Sequence, residues 1–188
     1  MYTGNVHVDG PGDVRELPHL IISKLAVGDY NNNSYLLRCR ETGEQALIDA
    51  AAQTDRLLAL TGETLRTVIT THQHQDHWGS LADVVRATGA RTMAHPIDAP
   101  GIPVPTDIFL EEGSELTIGK ISLRVIHLVG HTDGVGGING VQGQGIDRAH
   151  DGRVHVAIAD ETSKKCGIAN GVDGVTSIFG IAPKRYAY

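Results

Sequence analysis

Three histidines and one aspartate lie close together in residues 72–77. His72 and His74 are two residues apart, and Asp76 and His77 follow after one glutamine. In extended backbone, side chains two residues apart point the same way, so His72 and His74 can reach one metal ion. Asp76 and His77 come where the chain begins to turn and can face a second position nearby. Imidazole nitrogen with carboxylate oxygen suits Zn²⁺, and Fe or Mn also accepts it, so this segment predicts a metal site.

A second segment of the chain offers a further histidine. The apolar stretch 121–129 predicts a strand, and a Gly-His-Thr sequence follows it at residues 130–132. A histidine that follows a glycine at a strand end is free to project into a cleft, so we expect His131 to join His72 and His74. Three protein nitrogens plus a water form the open arrangement of catalytic zinc, whereas structural zinc has four protein ligands.

The segments around these histidines predict a mixed α/β fold. Strands alternate with helices early in the chain and follow one another later, which indicates a sheet packed on a sheet with helices outside. An S-x-x-D sequence at Ser80 and Asp83 predicts a capping box at the start of the second helix. In the glycine-rich part beyond residue 132 we predict one strand, at 154–159. The other predictions are strands at 19–27, 35–38, 45–49, 67–71, 91–94, 108–110, 115–118 and 121–129 and helices at 54–60 and 80–88.

Composition narrows the class of protein. A chain of 188 residues with 40% hydrophobic and 20% charged residues predicts a single globular domain over residues 1–188. No apolar run reaches about 18 residues, so we expect no membrane span. The net charge of −6 without a Lys/Arg cluster disfavours nucleic acid as a partner. The two cysteines lie far apart and no signal-peptide pattern begins the chain, which favours a cytoplasmic protein.

Taken together, these segments resemble the metallo-β-lactamase-fold metallohydrolase superfamily, in its glyoxalase II-like branch. The resemblance covers residues 18–134 and leaves residues 135–188 divergent. It implies an αββα sandwich with metal ions at one edge, between the two sheets, and hydrolysis by a metal-bound hydroxide. The matching segments are NNNSYLLR, ALIDA, THQHQDH, DIFLEEGSELTIG and HLVGHTDG, the last where the family usually has GHTPG.

The resemblance also implies a ligand set for two metal ions. The first ion takes three histidines, and the second takes the aspartate and the last histidine of the motif together with a bridging aspartate from a later strand. In this sequence the implied ligands are His72, His74 and His131 for the first metal and Asp76, His77 and Asp160 for the second.

The C-terminal part departs from the family pattern. The apolar stretch 154–159 ends in Asp160, as the strand before the bridging aspartate does in the family, but Ala159 stands where the family usually has glycine. The family's last metal ligand is a histidine near the C-terminus, and this sequence has no histidine after His155. We therefore expect an incomplete C-terminal half of the sandwich. Its second metal site is either incomplete or completed by another group, such as His150 or His155.

These features predict a metal-dependent hydrolase that acts on an ester, thioester or related small molecule. One or two Zn²⁺ ions are the expected cofactor, with Fe or Mn as alternatives. Asp76 is expected to orient the attacking water and take its proton, and Asp49 can hydrogen-bond a ligand histidine from behind. Two alternatives stay open: a mononuclear iron persulfide dioxygenase, and a non-catalytic or degenerate metal-binding protein. A short C-terminal half would leave sheet surface uncovered, which a homodimer could cover.

Overall fold

The computed structural model describes residues 2–127, 132–134 and 136–143. Within them the chain forms two β-sheets and two α-helices, and the predicted mixed α/β class is confirmed. The strands are β1 (Asp13–Glu16), β2 (Leu20–Val27), β3 (Asn32–Cys39), β4 (Gln45–Ile48), β5 (Leu65–Ile69), β6 (Arg91–Ala94), β7 (Ile108–Phe109), β8 (Glu115–Ile118), β9 (Ile121–His127) and β10 (Gly136–Gly143). The helices are α1 (Thr54–Thr61) and α2 (Leu81–Thr88).

The first sheet holds seven strands in chain order, from β1 to β7. Strands β1 to β4 pair antiparallel, whereas β4 to β7 pair parallel. Parallel neighbours need a crossover, and α1 supplies it between β4 and β5, as α2 does between β5 and β6. The carboxyl ends of β4, β5 and β6 therefore lie at one edge of the sheet, together with the amino end of antiparallel β3.

The second sheet packs against one face of the first. It has three antiparallel strands in the order β10, β9, β8. Successive side chains of a strand point to opposite faces of the sheet. A strand of a sheet that is covered on both faces therefore contributes to two cores. The core between the sheets is apolar and buried, and its members include Ile22, Leu37, Ile48, Ile118 and Leu123.

The helices cover the opposite face of the first sheet. Leu57 of α1 and Leu81 of α2 pack with Leu36 and Leu47 of the sheet in a second buried core. The described layers are therefore helices, sheet and sheet. Both α-helices in this part of the chain have eight residues, and none of its helices has the length and apolarity to cross a membrane.

Two local predictions need correction. Gly136–Gly143 forms β10, although its glycine-rich sequence predicted no strand. It pairs with β9 from the Gly136–His127 pair to the Gly143–Ile121 pair, so a long partner strand outweighs weak local propensity. The capping box is also wrong: Ser80 makes no side-chain cap on α2, and its hydroxyl instead accepts a 2.9 Å hydrogen bond from Thr54 Oγ1. The strand predicted at 154–159 lies outside the described residues.

Candidate metal centre

Three loops meet at the edge where the parallel strands end. Asp49 follows β4, residues 70–74 follow β5, and residues 95–98 follow β6. After His74 the chain enters a 3₁₀ turn at Gln75–His77, so it turns where the sequence predicted. This turn brings the second half of the histidine motif back toward the first half.

The histidine motif forms one cluster of side chains. His72 is fully buried, and its ring centroid lies 4.8 Å from that of His74 and 4.0 Å from that of His77. Asp76 Oδ2 lies 3.8 Å from His77 Nε2. The structure thus brings together all four predicted ligands of this segment. The other two predicted ligands, His131 and Asp160, lie outside the described residues.

Asp49 contacts this cluster from behind. Its Oδ1 accepts a 2.8 Å hydrogen bond from the Thr71 backbone N–H, and its Oδ2 lies 2.8 Å from both Thr71 Oγ1 and His77 Nδ1. An ionised carboxylate can only accept, so in its neutral form, the form that can bind a metal, His77 carries its proton on Nδ1 and its lone pair on Nε2. The expected contact between Asp49 and a histidine of the motif is confirmed.

The same network orients His72. The Thr71 hydroxyl gives its proton to Asp49, so its oxygen accepts from His72 Nδ1 at 3.0 Å. His72 therefore also carries its lone pair on Nε2, the nitrogen that a metal would take. A histidine whose other ring nitrogen donates to the protein is the usual form of a metal ligand. The donor set in this segment is consistent with Zn²⁺ or Fe in its chemistry.

Asn32 holds the carboxylate of Asp76. Its side-chain N–H donates to the Asp76 carbonyl oxygen at 2.7 Å and to Asp76 Oδ2 at 2.8 Å. Burial raises the pKa of the Asp76 carboxyl, but the Asn32 hydrogen bond and the nearby His77 outweigh it, and the net pKa lies below its ordinary value. Asn32 was not predicted from the sequence, because it lies at the start of β3, 44 residues before Asp76.

Asp98 was also missed, and it lies where two segments meet. The Gln73 backbone N–H donates to Asp98 Oδ2 at 3.2 Å, and Thr132 Oγ1 donates to the same oxygen at 2.6 Å. Gln73 lies between two predicted ligands, and Thr132 directly follows His131. The Asp98 carboxylate therefore links the segment after β9 of the second sheet to the histidine motif.

Neither implied metal set is complete within the described residues. The first has His72 and His74 there, and the second has Asp76 and His77. In agreement, the described part of the chain has no group of three His, Cys, Asp or Glu side chains that could hold a metal ion. The third member of each set, His131 or Asp160, lies outside the described residues.

Comparison with known proteins identifies the family. The profile of the metallo-beta-lactamase superfamily matches residues 27–144. The chain belongs to this superfamily. A hydroxyacylglutathione hydrolase of Fuscovulum blasticum is 39% identical over 106 residues, which cover 55% of this chain and 41% of that protein. One of Polaromonas sp. is 34% identical over 117 residues, covering 60% and 44%. The chain spans less than half the length of these curated relatives.

Solved structures share the fold of this chain. The subclass B3 metallo-β-lactamase BJP-1 of Bradyrhizobium japonicum superimposes with a TM-score of 0.58 at 22% identity, covering 77% of this chain and 61% of that one. TTHA1623 in a di-iron-bound form superimposes with a TM-score of 0.53 at 30% identity, covering 61% and 65%. The metallo-β-lactamase fold inferred from the sequence is confirmed.

Proposed function

We propose that this protein is a metal-dependent hydrolase of small thioesters. The observation that carries the proposal is the cluster of His72, His74, Asp76 and His77, in which hydrogen bonds traced to Asp49 leave Nε2 of two histidines as the lone-pair nitrogen. Fixing the tautomer of a histidine in this way is what a metal ligand requires and what a surface loop does not need.

The proposed ligands come from three segments. The contact of Thr132 with Asp98 supports the inclusion of His131, because it holds the neighbouring residue against the histidine motif. Asp160 is included on the family resemblance alone. The proposed set is His72, His74 and His131 for the first metal and Asp76, His77 and Asp160 for the second.

When bound, a divalent ion lowers the pKa of a coordinated water to about 7 and polarises the attacked carbonyl. Asp76 is the proposed catalytic residue, since its carboxylate can accept the proton of the attacking water. The low pKa of Asp76 keeps it ionised near neutral pH, and Asn32 holds Oδ2 in one orientation. Asp49 is a positioning residue that acts through His77 and, by way of Thr71, through His72.

The curated relatives support the proposed substrate class. Proteins named hydroxyacylglutathione hydrolase are 34% and 39% identical to this chain over the matched residues, and they supply the proposal that it cleaves a glutathione thioester. The proposed product pair is a hydroxy acid and a free thiol. We propose zinc as the metal; the di-iron form of TTHA1623, a similar structure, makes iron the alternative to test.

The test measures metal content and thioester cleavage on the same preparations. Wild type is expected to bind zinc and to release thiol from a hydroxyacyl thioester of glutathione, followed with a thiol reagent. His74→Ala should lose both. His19→Ala is the matched control, because His19 is exposed at the far end of β2, and it should keep both.

Three outcomes would replace the proposal. Thioester cleavage that persists after the metal is stripped would exclude a metal-dependent reaction. Iron at one per chain with oxidation of a persulfide would favour the dioxygenase. Bound metal without turnover of ester, thioester, lactam or phosphodiester would favour a metal-binding protein that is not an enzyme.

A further inference from the structure

Asp98 is a buried carboxylate that the proposed chemistry does not use. Its side chain is 0% exposed, and no ion pair to it occurs within the described residues. Burying a carboxylate that has neither a cation nor hydrogen-bond donors nearby lowers the stability of the fold by several kcal/mol. The residues that donate to it therefore indicate what it does in this fold.

The hydrogen bonds of Asp98 converge on one oxygen. Oδ2 accepts from the Gln73 backbone N–H at 3.2 Å and from Thr132 Oγ1 at 2.6 Å. Gln73 belongs to the loop after the first sheet's β5, and Thr132 belongs to the segment after the second sheet's β9. One atom thus fixes the separation of two segments that are distant in sequence and belong to different sheets.

The surroundings of Asp98 keep this oxygen in place. Its backbone N–H donates to the His95 carbonyl oxygen at 3.1 Å, which anchors it at the end of β6. Gly134 packs so closely that a Cβ there would lie 2.8 Å from Asp98 Oδ1 and 2.9 Å from its backbone nitrogen. Oδ1 itself is buried and accepts no hydrogen bond from the described residues. Oδ2 is therefore the atom through which the side chain acts.

From these contacts we propose that Asp98 is a positioning residue that sets the distance between the two segments carrying the proposed ligands of the first metal. The expected effect on metal binding rests on the proposed function, because Gln73 lies between His72 and His74 and Thr132 follows His131. Partners behind metal ligands typically contribute about 10–100-fold to metal affinity. Loss of the Oδ2 contacts should therefore weaken zinc binding within this range.

The first experiment measures zinc affinity by competition with a chromophoric chelator. Asp98→Ala and Thr132→Val, which remove the acceptor and the donor, should each lower zinc affinity by about 10-fold or more. Asp98→Asn should stay near wild type, because its amide oxygen can take the place of Oδ2 and its NH₂ the place of Oδ1. The double variant Asp98→Ala with Thr132→Val should bind zinc no more weakly than Asp98→Ala alone, since both changes remove one shared contact.

A control variant at a second carboxylate that faces a threonine separates positioning from general stability. Asp107 is exposed and accepts hydrogen bonds from the Thr92 backbone N–H at 2.8 Å and from Thr92 Oγ1 at 3.1 Å, and within the described residues it makes no hydrogen bond to the histidine motif or to Thr132. Asp107→Ala should lower the free energy of unfolding and leave zinc affinity unchanged. In the metal-free chain, the Gln73 amide should exchange its hydrogen faster in Asp98→Ala than in Asp107→Ala.

The possible results lead to different conclusions. If wild type binds no zinc, the proposed function fails, and amide exchange at Gln73 alone decides whether Asp98 positions the loop. If wild type binds zinc but Asp98→Ala keeps its affinity, the positioning role is overturned. Equal losses of zinc affinity in Asp98→Ala and Asp107→Ala would also overturn it, because a general loss of stability would then explain both.

Discussion

Asparagine in place of Asp49 changes the charge behind the histidine cluster and little else. Asp49 is buried and has a φ of 57°, in the left-handed region. Asparagine tolerates this conformation about as well as aspartate does, whereas alanine would add backbone strain. Asp49→Asn therefore isolates the effect of the carboxylate on the donors that face it.

The expected loss of stability in Asp49→Asn follows from the three hydrogen-bond donors that face Asp49. An amide offers one acceptor oxygen, so at least one donor from Thr71 or His77 meets an NH₂ group instead, a loss of about 1.5–3 kcal/mol. The remaining hydrogen bonds change from a charged to a neutral acceptor, and each change lowers the stability by about 1 kcal/mol. The lower desolvation cost of the amide offsets part of the sum. We expect Asp49→Asn to lower the free energy of unfolding by about 3 kcal/mol.

The assay is urea denaturation of the metal-free chain, with zinc affinity measured separately. Asp107→Asn is the control, because Asp107 also faces the donors of a threonine but does not contact the histidine cluster. For Asp49→Asn we also expect zinc affinity to fall by about 10–100-fold, because no carboxylate then accepts the hydrogen bond that keeps the His77 proton on Nδ1.

A clear result would refute this reasoning. If Asp49→Asn unfolds at the wild-type urea concentration and binds zinc with wild-type affinity, the carboxylate neither stabilises the cluster nor orients its histidines. A loss of stability with unchanged zinc affinity would retain Asp49 as a structural residue and remove its positioning role.

Three further predictions concern other contacts of the site. Asn32→Ala removes a hydrogen bond that opposes the effect of burial, so the pKa of Asp76 should rise in the metal-free chain, as NMR titration of its carboxyl carbon would show; an unchanged pKa would contradict the assigned cause. Burial lowers the pKa of His95 below its usual 6.5, so the unfolded chain binds the extra proton and stability falls as the pH drops through about 6.5. His95→Gln should flatten this decline in denaturation curves measured from pH 7.5 to 5.5, and an equally steep decline would contradict it. Gly134→Ala should destabilise the chain in thermal melts because its Cβ would meet Asp98, and a wild-type melting temperature would show that this close approach can relax.

The histidine cluster could be predicted because its members are close in sequence. The strand before the motif and the turn within it fix the directions of the His72, His74 and His77 side chains. Both the strand and the turn can be predicted from the local sequence. Asn32 and Asp98 could not be predicted in the same way. Their partners lie 44 and 25 residues away, and nothing in the local pattern of either residue indicates the contact.

Strands β2 to β7 of the first sheet were predicted for a similar reason, whereas β1 was not predicted. Buried apolar and β-branched runs such as LIISKLAV identify strands directly, and Leu20–Val27 agrees closely with the prediction at 19–27. β10 was not predicted, because Gly136–Gly143 has weak propensity and pairs with a strand it follows. Its conformation depends on the backbone groups that β9 offers, which no local pattern reveals. The predictions for His131, Asp160 and the 154–159 strand remain predictions.

The chain order of the strands has a consequence for synthesis. All seven strands of the first sheet lie between Asp13 and Phe109. The strands of the second sheet, which packs against one face of the first, come later in the chain: β9 ends at His127, and β10 follows it. At ribosomal rates of about 5–20 residues per second, Phe109 precedes His127 by roughly 1–4 s. During that interval a nascent chain could present Ile22, Leu37 and Ile48 as an open apolar surface. Such a surface is a natural substrate for a chaperone at the ribosomal exit.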